Sequence, residues 1–226
     1  MSQTNKKPAI KVPGGLFITF EGGEGAGKST QADRLAERLC AKGYIITKTR
    51  EPGGSPGAEE IRSLLVNGSP ERWSANAETL LNYAARDSHL NETIRPALNN
   101  GHIVICDRFM DSTRAYQGAA GGVDPELIKK LEEVIIGPTI PDLTLIFDLD
   151  PALGLARTGA RAQIGEDRFE NKPLAFHQTL RAAFLDLVKT DPQRCVLINA
   201  ENDIDTVSKL IWQAIEHHLK LDANTS

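Results

Sequence analysis

The residues with the clearest chemical meaning form a glycine-rich segment that ends in lysine, serine and threonine. In order they are Gly22, Gly23, Glu24, Gly25, Ala26, Gly27, Lys28, Ser29 and Thr30, which fit the pattern G-x-x-x-x-G-K-[ST]. Glycines let the backbone curl so that successive N–H groups point at phosphate oxygens, and Lys28 adds a full positive charge. Ser29 is then placed to ligate Mg²⁺. The segment therefore predicts a binding site for a nucleoside triphosphate.

Further charged residues follow predicted strands or lie on a predicted helix. Asp107 and Arg108 come at the end of one strand, Arg50 at the end of another, and Arg86 on a long helix. Because ligands of open α/β sheets bind at the carboxyl edge, Arg108 could hold an acceptor phosphate while Asp107 holds a water of Mg²⁺. A surface ion pair is the alternative for Asp107 and Arg108 taken alone. Three arginines from separate elements favour a second phosphate site beside the first.

Residues 157–170 have a weak apolar pattern, contain glycine and carry three arginines, Arg157, Arg161 and Arg168. We predict that this segment is a lid, because arginines brought over a phosphoryl group stabilise the charge that spreads on it during transfer. Without a phosphate loop elsewhere in the chain, a flexible charged connection would be an equal alternative.

Phosphate loops serve switches, motors and kinases, so the class depends on the rest of the sequence. A guanine-reading Asn-Lys-x-Asp motif is missing, because the Asn-Lys pair at 171–172 is followed by Pro173 and Leu174. Partition-type ATPases usually carry a second lysine near the start of the loop, where this chain has Gly23. A small-molecule kinase fits best. A regulatory NTPase is the alternative from a different class.

These residues need a scaffold, and short apolar runs that alternate with longer amphipathic stretches predict βα units. We predict five strands, at Leu16–Phe20, Tyr44–Thr49, Ile103–Cys106, Leu143–Asp148 and Cys195–Ile198. The predicted fold class is α/β, a P-loop NTPase three-layer sandwich with a five-stranded parallel sheet between helices and an arginine-containing lid. Residues 1–14 are predicted to form a flexible tail and residues 15–226 a single domain.

Helix signals fall between the strands. Apolar spacing and capping residues predict helices around Ala32–Cys40, from Asn76 to Leu98, from Asp124, from Asp150 and over Asp203–Lys220. Pro96 should kink the second of these helices or thin its last turns, because proline lacks the N–H that a helix interior needs.

Composition limits the kinds of partner. The 26 Lys and Arg against 30 Asp and Glu leave a net charge of -4, so no general field draws the chain to nucleic acid or an anionic membrane. The cysteines Cys40, Cys106 and Cys195 are far apart and outside any C-x-x-C pattern, which argues against disulfides and zinc. The N-terminus does not resemble an export signal, and no apolar run reaches the roughly 18 residues of a membrane span. We expect a cytoplasmic protein whose ligands are small anions.

Several motifs, taken in order, resemble those of the bacterial thymidylate kinases, a family of P-loop nucleoside monophosphate kinases. The matching segments are residues 20–30, 50–54, 83–86, 107–109 with 112–118, 141–144 and the lid at 157–170. The resemblance implies phosphoryl transfer from MgATP to dTMP, giving dTDP and ADP, in a homodimer. Another deoxynucleotide or nucleoside kinase is the alternative among enzymes.

The resemblance also implies roles for single residues. It assigns substrate contacts to Glu24 (the deoxyribose 3′-hydroxyl), Arg50 and Arg108 (the acceptor phosphate), Arg86, Thr113 and Gln117 (the thymine edge), Tyr116 (a wall that leaves no room for a 2′-hydroxyl) and Glu170 (a lid carboxylate). Asn199 would border adenine, and Ser29 and Asp107 would serve the metal. One branch of the family carries an arginine in the phosphate loop, and this loop has none. Catalysis would therefore rest on Lys28, Arg108, Arg157, Arg161 and Arg168.

The chain departs from the family pattern at Asn82. At this position, four residues before the base-reading Arg86, the family usually has a phenylalanine stacked on thymine. A helix turns about 100° per residue, so Tyr83 cannot replace that ring without a local rotation. Either Phe109 or a rotated Tyr83 covers the base, or the pocket is looser, with weaker stacking and a raised KM for dTMP.

Overall fold

Five short apolar runs form one parallel sheet in the computed structural model, which describes residues 9–69, 71–159 and 168–219. The strands are β1 (Leu16–Gly22), β2 (Ile46–Arg50), β3 (Ile103–Asp107), β4 (Leu143–Asp148) and β5 (Cys195–Asn199). They lie in the order β2-β3-β1-β4-β5, and every neighbouring pair is parallel. The predicted strands and fold class are confirmed, although β1 ends later and β2 begins later than the sequence indicated.

The central position of β1 determines what its end can do. All its residues are buried, because strands flank it on both sides and helices cover both faces of the sheet. The edge strand β2 is more polar and only partly buried. In the strand register, Phe20 of β1 and Arg50 of β2 both pair with Asp107 of β3. The carboxyl ends of β1, β2 and β3 therefore bring the predicted phosphate loop, Arg50 and Asp107 to one edge.

Nine α-helices connect or follow these strands in the described part of the chain. They are α1 (Lys28–Ala41), α2 (Pro56–Val66), α3 (Ala75–His89), α4 (Arg95–Asn99), α5 (Met110–Thr113), α6 (Pro125–Leu131), α7 (Pro151–Gly159), α8 (Leu174–Thr190) and α9 (Ile204–Leu219). Three π-helical segments, Leu90–Ile94, Arg114–Ala120 and Glu132–Ile136, extend α3, α5 and α6. The sequence analysis did not predict α2 or α8.

The starts of two helices confirm their expected caps, and one differs. Asp124 accepts a hydrogen bond from the N–H of Glu126, and Asp150 accepts one from the N–H of Ala152. The predicted cap at Asn76 is wrong, because α3 begins earlier, where the Ser74 hydroxyl accepts a hydrogen bond from the N–H of Ala77.

Pro96 lies where the type of helix changes. It lies in the first turn of α4, directly after the π-helical segment Leu90–Ile94, where a missing N–H costs little. The long predicted helix is therefore formed by three consecutive helical segments, and its hydrogen-bonding pattern changes near Pro96.

Helices cover both faces of the sheet and complete the three layers. On one face, Leu35 and Leu39 of α1 and Ile211 of α9 belong to the same apolar cluster as Ile18 of β1. The other face packs Phe17 of β1 with the apolar side chains of α3 and of the segments that follow β3. A third cluster joins α8 to β4 and to the helix that carries Tyr116.

The first described residues belong to the fold. Ile10 forms a parallel bridge with Tyr44, and the N–H of Val12 donates a hydrogen bond to the carbonyl of Gly101. Ile10 and Val12 of the expected tail therefore lie along the edge of the sheet, whereas residues 1–8 of that tail lie outside the described part of the chain. No helix within the described ranges is both long and apolar enough to cross a membrane.

Candidate active site

A cleft of about 490 Å³ opens at the carboxyl edge of the sheet. Its walls include eleven of the residues that the sequence analysis selected: Glu24, Ser29, Arg50, Asn82, Arg86, Asp107, Arg108, Thr113, Tyr116, Gln117 and Glu170. Leu65, Val66, Phe109 and Phe169 supply apolar wall. The volume and the mixture of apolar surface with a few charged groups are typical of a site for a small organic ligand.

The phosphate loop turns from β1 into α1 between Gly22 and Lys28. Gly25 has a φ of 68°, and a side chain there would clash with the carbonyl oxygen of Gly154 in α7. Glycine is needed at this position for the positive φ and for the close approach of the loop backbone to the backbone of α7. The loop is therefore held against α7 in a curled form, with the N-terminus of α1 facing the cleft.

Lys28 is buried, and its ammonium group donates to the carbonyls of Gly22 at 3.1 Å and Gly23 at 2.8 Å. Burial lowers the pKa of Lys28, and the nearby Arg108 guanidinium lowers it further, to about 8. Asp107 and Glu24 oppose this shift in part. A phosphate bound in the loop would place further negative charge beside Lys28 and so favour its ammonium form.

The side chain of Ser29, in the first turn of α1, contacts that of Asp107, the last residue of β3. The Ser29 hydroxyl donates to a carboxylate oxygen of Asp107 at 2.5 Å. Hydroxyl and carboxylate oxygens are the hard ligands that Mg²⁺ prefers, so the donor set at this point fits the expected metal. Within the described ranges, no group of three or more His, Cys, Asp or Glu side chains could hold a metal ion.

Arg108 has an unusual backbone, since it is the one non-glycine residue at positive φ, 70°, among those the structure describes. Its guanidinium donates to the carbonyl of Gly22 and to a carboxylate oxygen of Glu24, both at 3.0 Å. These contacts direct the arginine across the mouth of the phosphate loop. A strained backbone that is held by several contacts is common at functional sites.

Glu21 holds the turn that carries Arg108, and the sequence analysis gave it no role. One carboxyl oxygen accepts the N–H of Phe109 at 2.7 Å, and the other accepts the Ser112 hydroxyl at 2.5 Å. Burial raises the pKa of Glu21, and Asp111 raises it further, to about 8. A charged residue at the end of a mostly apolar, buried strand was the signal that could have identified this group.

Glu24 and Tyr116 form the next part of the cleft wall. The Tyr116 hydroxyl donates to the same Glu24 oxygen that Arg108 contacts, at 2.6 Å. Burial alone would raise the pKa of Glu24, but Arg108, Lys28 and the Tyr116 hydroxyl outweigh it and lower the pKa to about 2. Glu24 is therefore a carboxylate over the whole physiological range.

Arg86 is buried in the opposite wall of the cleft, and the carboxylate of Glu51 neutralises its charge. Its Nε donates to Glu51 at 2.8 Å, and its Nη2 donates to the Phe109 carbonyl and the Thr113 hydroxyl, both at 3.0 Å. Its Nη1 has no hydrogen-bond partner among the described residues. Because an unpaired buried donor is costly, this nitrogen marks a place for an acceptor atom of a ligand.

Glu78 of α3 contacts two other side chains of this region, Gln117 and Arg168. The sequence analysis did not select Glu78. One of its oxygens accepts from the Gln117 side-chain amide at 2.7 Å, and the other pairs with Arg168 at 2.6 Å. Arg168 also donates to the Leu65 carbonyl at 3.1 Å and is 3% exposed. This position differs from the one expected of a lid arginine over the phosphoryl group, because a buried partner already neutralises the charge.

The remaining predicted residues lie at the border of the cleft or beyond it. Arg50 is half exposed and pairs with Glu59 at 3.1 Å. Arg157 donates to the Ala200 carbonyl at 3.3 Å, just after β5, and Asn199 accepts the N–H of Glu201. Arg161 lies outside the described residues.

The ring that should cover a base does not come from Tyr83. That side chain is 1% exposed and packs in the core beside Leu90 and Phe109. Asn82 lines the cleft, with its amide donating to the Glu78 backbone carbonyl at 2.9 Å. Phe109, which was expected as an alternative, and Phe169, which was not, are the phenylalanines on the cleft wall.

Comparison with known proteins places this geometry in context. The family model described as thymidylate kinase matches residues 20–211. A thymidylate kinase of Caulobacter vibrioides is 55% identical over 207 residues, which cover 92% of this chain and 99% of the relative. One from Nitrobacter hamburgensis is 50% identical and covers 98% of this chain and 97% of its own. The crystal structure of thymidylate kinase from Ehrlichia chaffeensis is 34% identical, with a TM-score of 0.74 over 90% of this chain and 100% of that one.

Proposed function

Since the chain belongs to the thymidylate kinase family and phosphorylates dTMP to dTDP, we propose that its cleft binds ATP at Lys28 and dTMP at Arg108. One observation carries this proposal. Lys28 and Arg108 both donate to the carbonyl oxygen of Gly22, at 3.1 and 3.0 Å. Two cations that meet at one atom, one from the phosphate loop and one from β3, suit two phosphates that must come together for transfer.

On the donor side, the phosphate loop and the N-terminus of α1 hold the ATP phosphates. Loop residues 22–30 supply inward N–H groups, and Lys28 exchanges its contacts with Gly22 and Gly23 for phosphate oxygens. Asn199 lies where β5 ends and forms the adenine side.

Ser29 and Asp107 would hold Mg²⁺, and their hydroxyl and carboxylate oxygens fit this ion. When bound, the ion neutralises phosphate charge and supports departure of the leaving group. The protein's own part is to keep Ser29, in the first turn of α1, beside Asp107 at the end of β3.

On the acceptor side, Arg108 aligns the phosphate of dTMP, with Arg50 as a second cation at the same edge. The attacking phosphate oxygen is already anionic at neutral pH, so the reaction needs no general base. Positioning and charge stabilisation are the tasks of the site. Glu21 contributes by holding the turn on which Arg108 lies.

The remaining walls recognise the nucleoside. Glu24, an ionised acceptor, receives the deoxyribose 3′-hydroxyl, and the Tyr116 ring closes the space that a 2′-hydroxyl would need. The unpaired Nη1 of Arg86 donates to a base carbonyl, with Thr113 and Gln117 along the same wall. Phe169 supplies the apolar cover beside Asn82, with the buried Phe109 behind the same wall, and Glu170 borders the sugar.

The lid arginines divide into two groups. Arg157 and Arg161 keep the role of stabilising charge on the transferring phosphoryl group, which is worth about 10³ to 10⁵ in rate where it has been measured. Arg168 acts on the acceptor side through its ion pair with Glu78.

Two further proposals concern the state of the protein. A homodimer is supported by the exposed apolar side chains Leu64 on α2 and Leu80 on α3, two helices that pack together. Light scattering at micromolar concentration measures this directly. A cytoplasmic location is supported by Cys40, Cys106 and Cys195, which are all free thiols.

Mutations can distinguish the donor side of the cleft from the acceptor side by their effects on kcat and KM. We expect Lys28→Ala to lower kcat at least about 10²-fold, the effect of losing one preorganised charge. Arg108→Ala should mainly raise KM for dTMP at saturating ATP. The control is Arg34→Ala, because Arg34 is an exposed arginine that pairs with Asp205 outside the cleft. Near-normal turnover of Lys28→Ala contradicts the assignment.

A further inference from the structure

Glu78 lies behind the wall that faces the base and has two partners. Its Oε1 accepts from the Nε2 of Gln117 at 2.7 Å, and its Oε2 accepts from Arg168 at 2.6 Å. All three side chains are buried, with at most about a tenth of any of them exposed. Glu78 itself is absent from the cleft wall, whereas Gln117 is part of it.

This arrangement fixes the orientation of the Gln117 amide. A carboxylate can only accept hydrogen bonds, and both Glu78 oxygens already do so. The NH₂ end of Gln117 must therefore face Glu78. The carbonyl oxygen of Gln117, which makes no hydrogen bond among the described residues, is left for the cleft. The ion pair with Arg168 occupies Oε2 of Glu78 and leaves Oε1 for the Gln117 amide.

The wall then presents a defined pattern of hydrogen-bonding groups. Gln117 offers an acceptor, and the unpaired Nη1 of Arg86 offers a donor. The hydroxyl of Thr113, one helical turn before Gln117, accepts from Nη2 of the same arginine, so the three side chains lie along one wall.

A pyrimidine with oxygen at position 4 carries an N3–H donor beside an O4 acceptor, which complements this pattern. A pyrimidine with an amine at position 4 carries the opposite pair, an N3 acceptor beside an amine donor. It would set acceptor against acceptor and donor against donor, and buried groups left unpaired in this way are costly.

We propose that Glu78 is a positioning residue that makes the site select 4-oxo over 4-amino pyrimidine nucleotides, by holding the Gln117 amide in one orientation. The inference rests on the proposed function, since it requires that the base of dTMP lie against Arg86 and Gln117. Arg168 contributes by holding Glu78 in place through the ion pair with its Oε2.

The test compares kcat/KM for dTMP, dUMP and dCMP in the full chain. In Glu78→Gln the new amide can donate to Gln117, so the Gln117 amide is free to reverse. We expect the dTMP-to-dCMP ratio to fall about 5- to 150-fold, the range for one mismatched buried hydrogen bond. The value for dUMP should fall together with that for dTMP, because both bases have the same 4-oxo edge.

Arg168→Gln is the matched control, because it removes the charge from the same cluster and leaves Glu78 a carboxylate. We expect this variant to lower the activity with all three acceptors by a common factor. A merely structural role for Glu78 would likewise change all acceptors together. An unchanged ratio in Glu78→Gln, or an equal fall of the ratio in both variants, overturns the proposal.

A second variant tests the proposal even if Glu78→Gln does not fold. Gln117→Met removes the acceptor while keeping a side chain of similar length, and Glu78 is untouched. The dTMP-to-dCMP ratio should fall in this variant too, and an unchanged ratio also overturns the proposal. Failure of the proposed function looks different, because the wild-type chain would then show no preference for dTMP over dCMP.

Discussion

The buried Lys28 gives a prediction that depends on pH. Burial and the nearby Arg108 lower the pKa of Lys28 from 10.5 to about 8 in the free protein. Raising the pH through 8 therefore neutralises the lysine in a protein whose phosphate loop is empty. ATP phosphates favour the ammonium form, so binding should draw a proton back onto Lys28.

The size of this effect follows from the two pKa values. If bound phosphates restore the pKa to its ordinary value, binding takes up about 0.5 proton at pH 8 and about 0.9 at pH 9. The charged form is the one that binds, so the Kd for ATP rises about fivefold between pH 8 and pH 9 and about sevenfold between pH 9 and pH 10. Below about pH 7 both the uptake and the slope vanish, because Lys28 is already charged in the free protein.

Isothermal titration calorimetry with a nonhydrolysable ATP analogue, in buffers of different ionisation enthalpy, measures the proton uptake. The control is Lys28→Arg, which keeps the charge but does not titrate in this range. Glu21, whose pKa also lies at about 8, is unchanged in that variant, so any uptake at Glu21 persists there. Absence of uptake at pH 9 in the wild type, or equal uptake in Lys28→Arg, would refute the reasoning.

Two further predictions concern the base and the loop. Asn82→Phe should lower KM for dTMP about 2- to 10-fold by adding a ring to the base wall, and a dTMP titration at saturating ATP that finds no change contradicts this. Gly25→Ala should lower the melting temperature and weaken ATP binding, since it combines a positive φ, worth about 1–2 kcal/mol, with a clash against Gly154. Gly23→Ala is the matched control, because nothing lies near a side chain at Gly23; equal effects in thermal unfolding of the two variants would contradict the clash.

The strands and the phosphate loop could be predicted because their signals are local. Each strand is a short apolar run between polar segments, and the loop motif is contiguous in sequence. The helix starts were less certain where two capping residues compete, as with Ser74 and Asn76. The π-helical segment before Pro96 was not predicted, although Pro96 cannot donate to the carbonyl four residues before it and so marks where the α-helical pattern must change.

Most residues of the cleft wall were also predictable, but their partners were not. Glu21, Glu51 and Glu78 contact residues that are 35 or more positions away in the chain. Arg168 is the clearest case, because its sequence context is that of a charged lid, and only the fold brings Glu78 to it. A single sequence contains no local signal for such a pairing.

The central claim is that one cleft brings two phosphates together between Lys28 and Arg108. A crystal structure of the protein with dTMP and a nonhydrolysable ATP analogue tests it most directly. The account predicts the γ-phosphate within hydrogen-bond distance of Lys28, the dTMP phosphate on Arg108 and the thymine edge against Arg86 and Gln117. A dTMP phosphate bound away from Arg108, or a base outside the wall formed by Arg86 and Gln117, would contradict it.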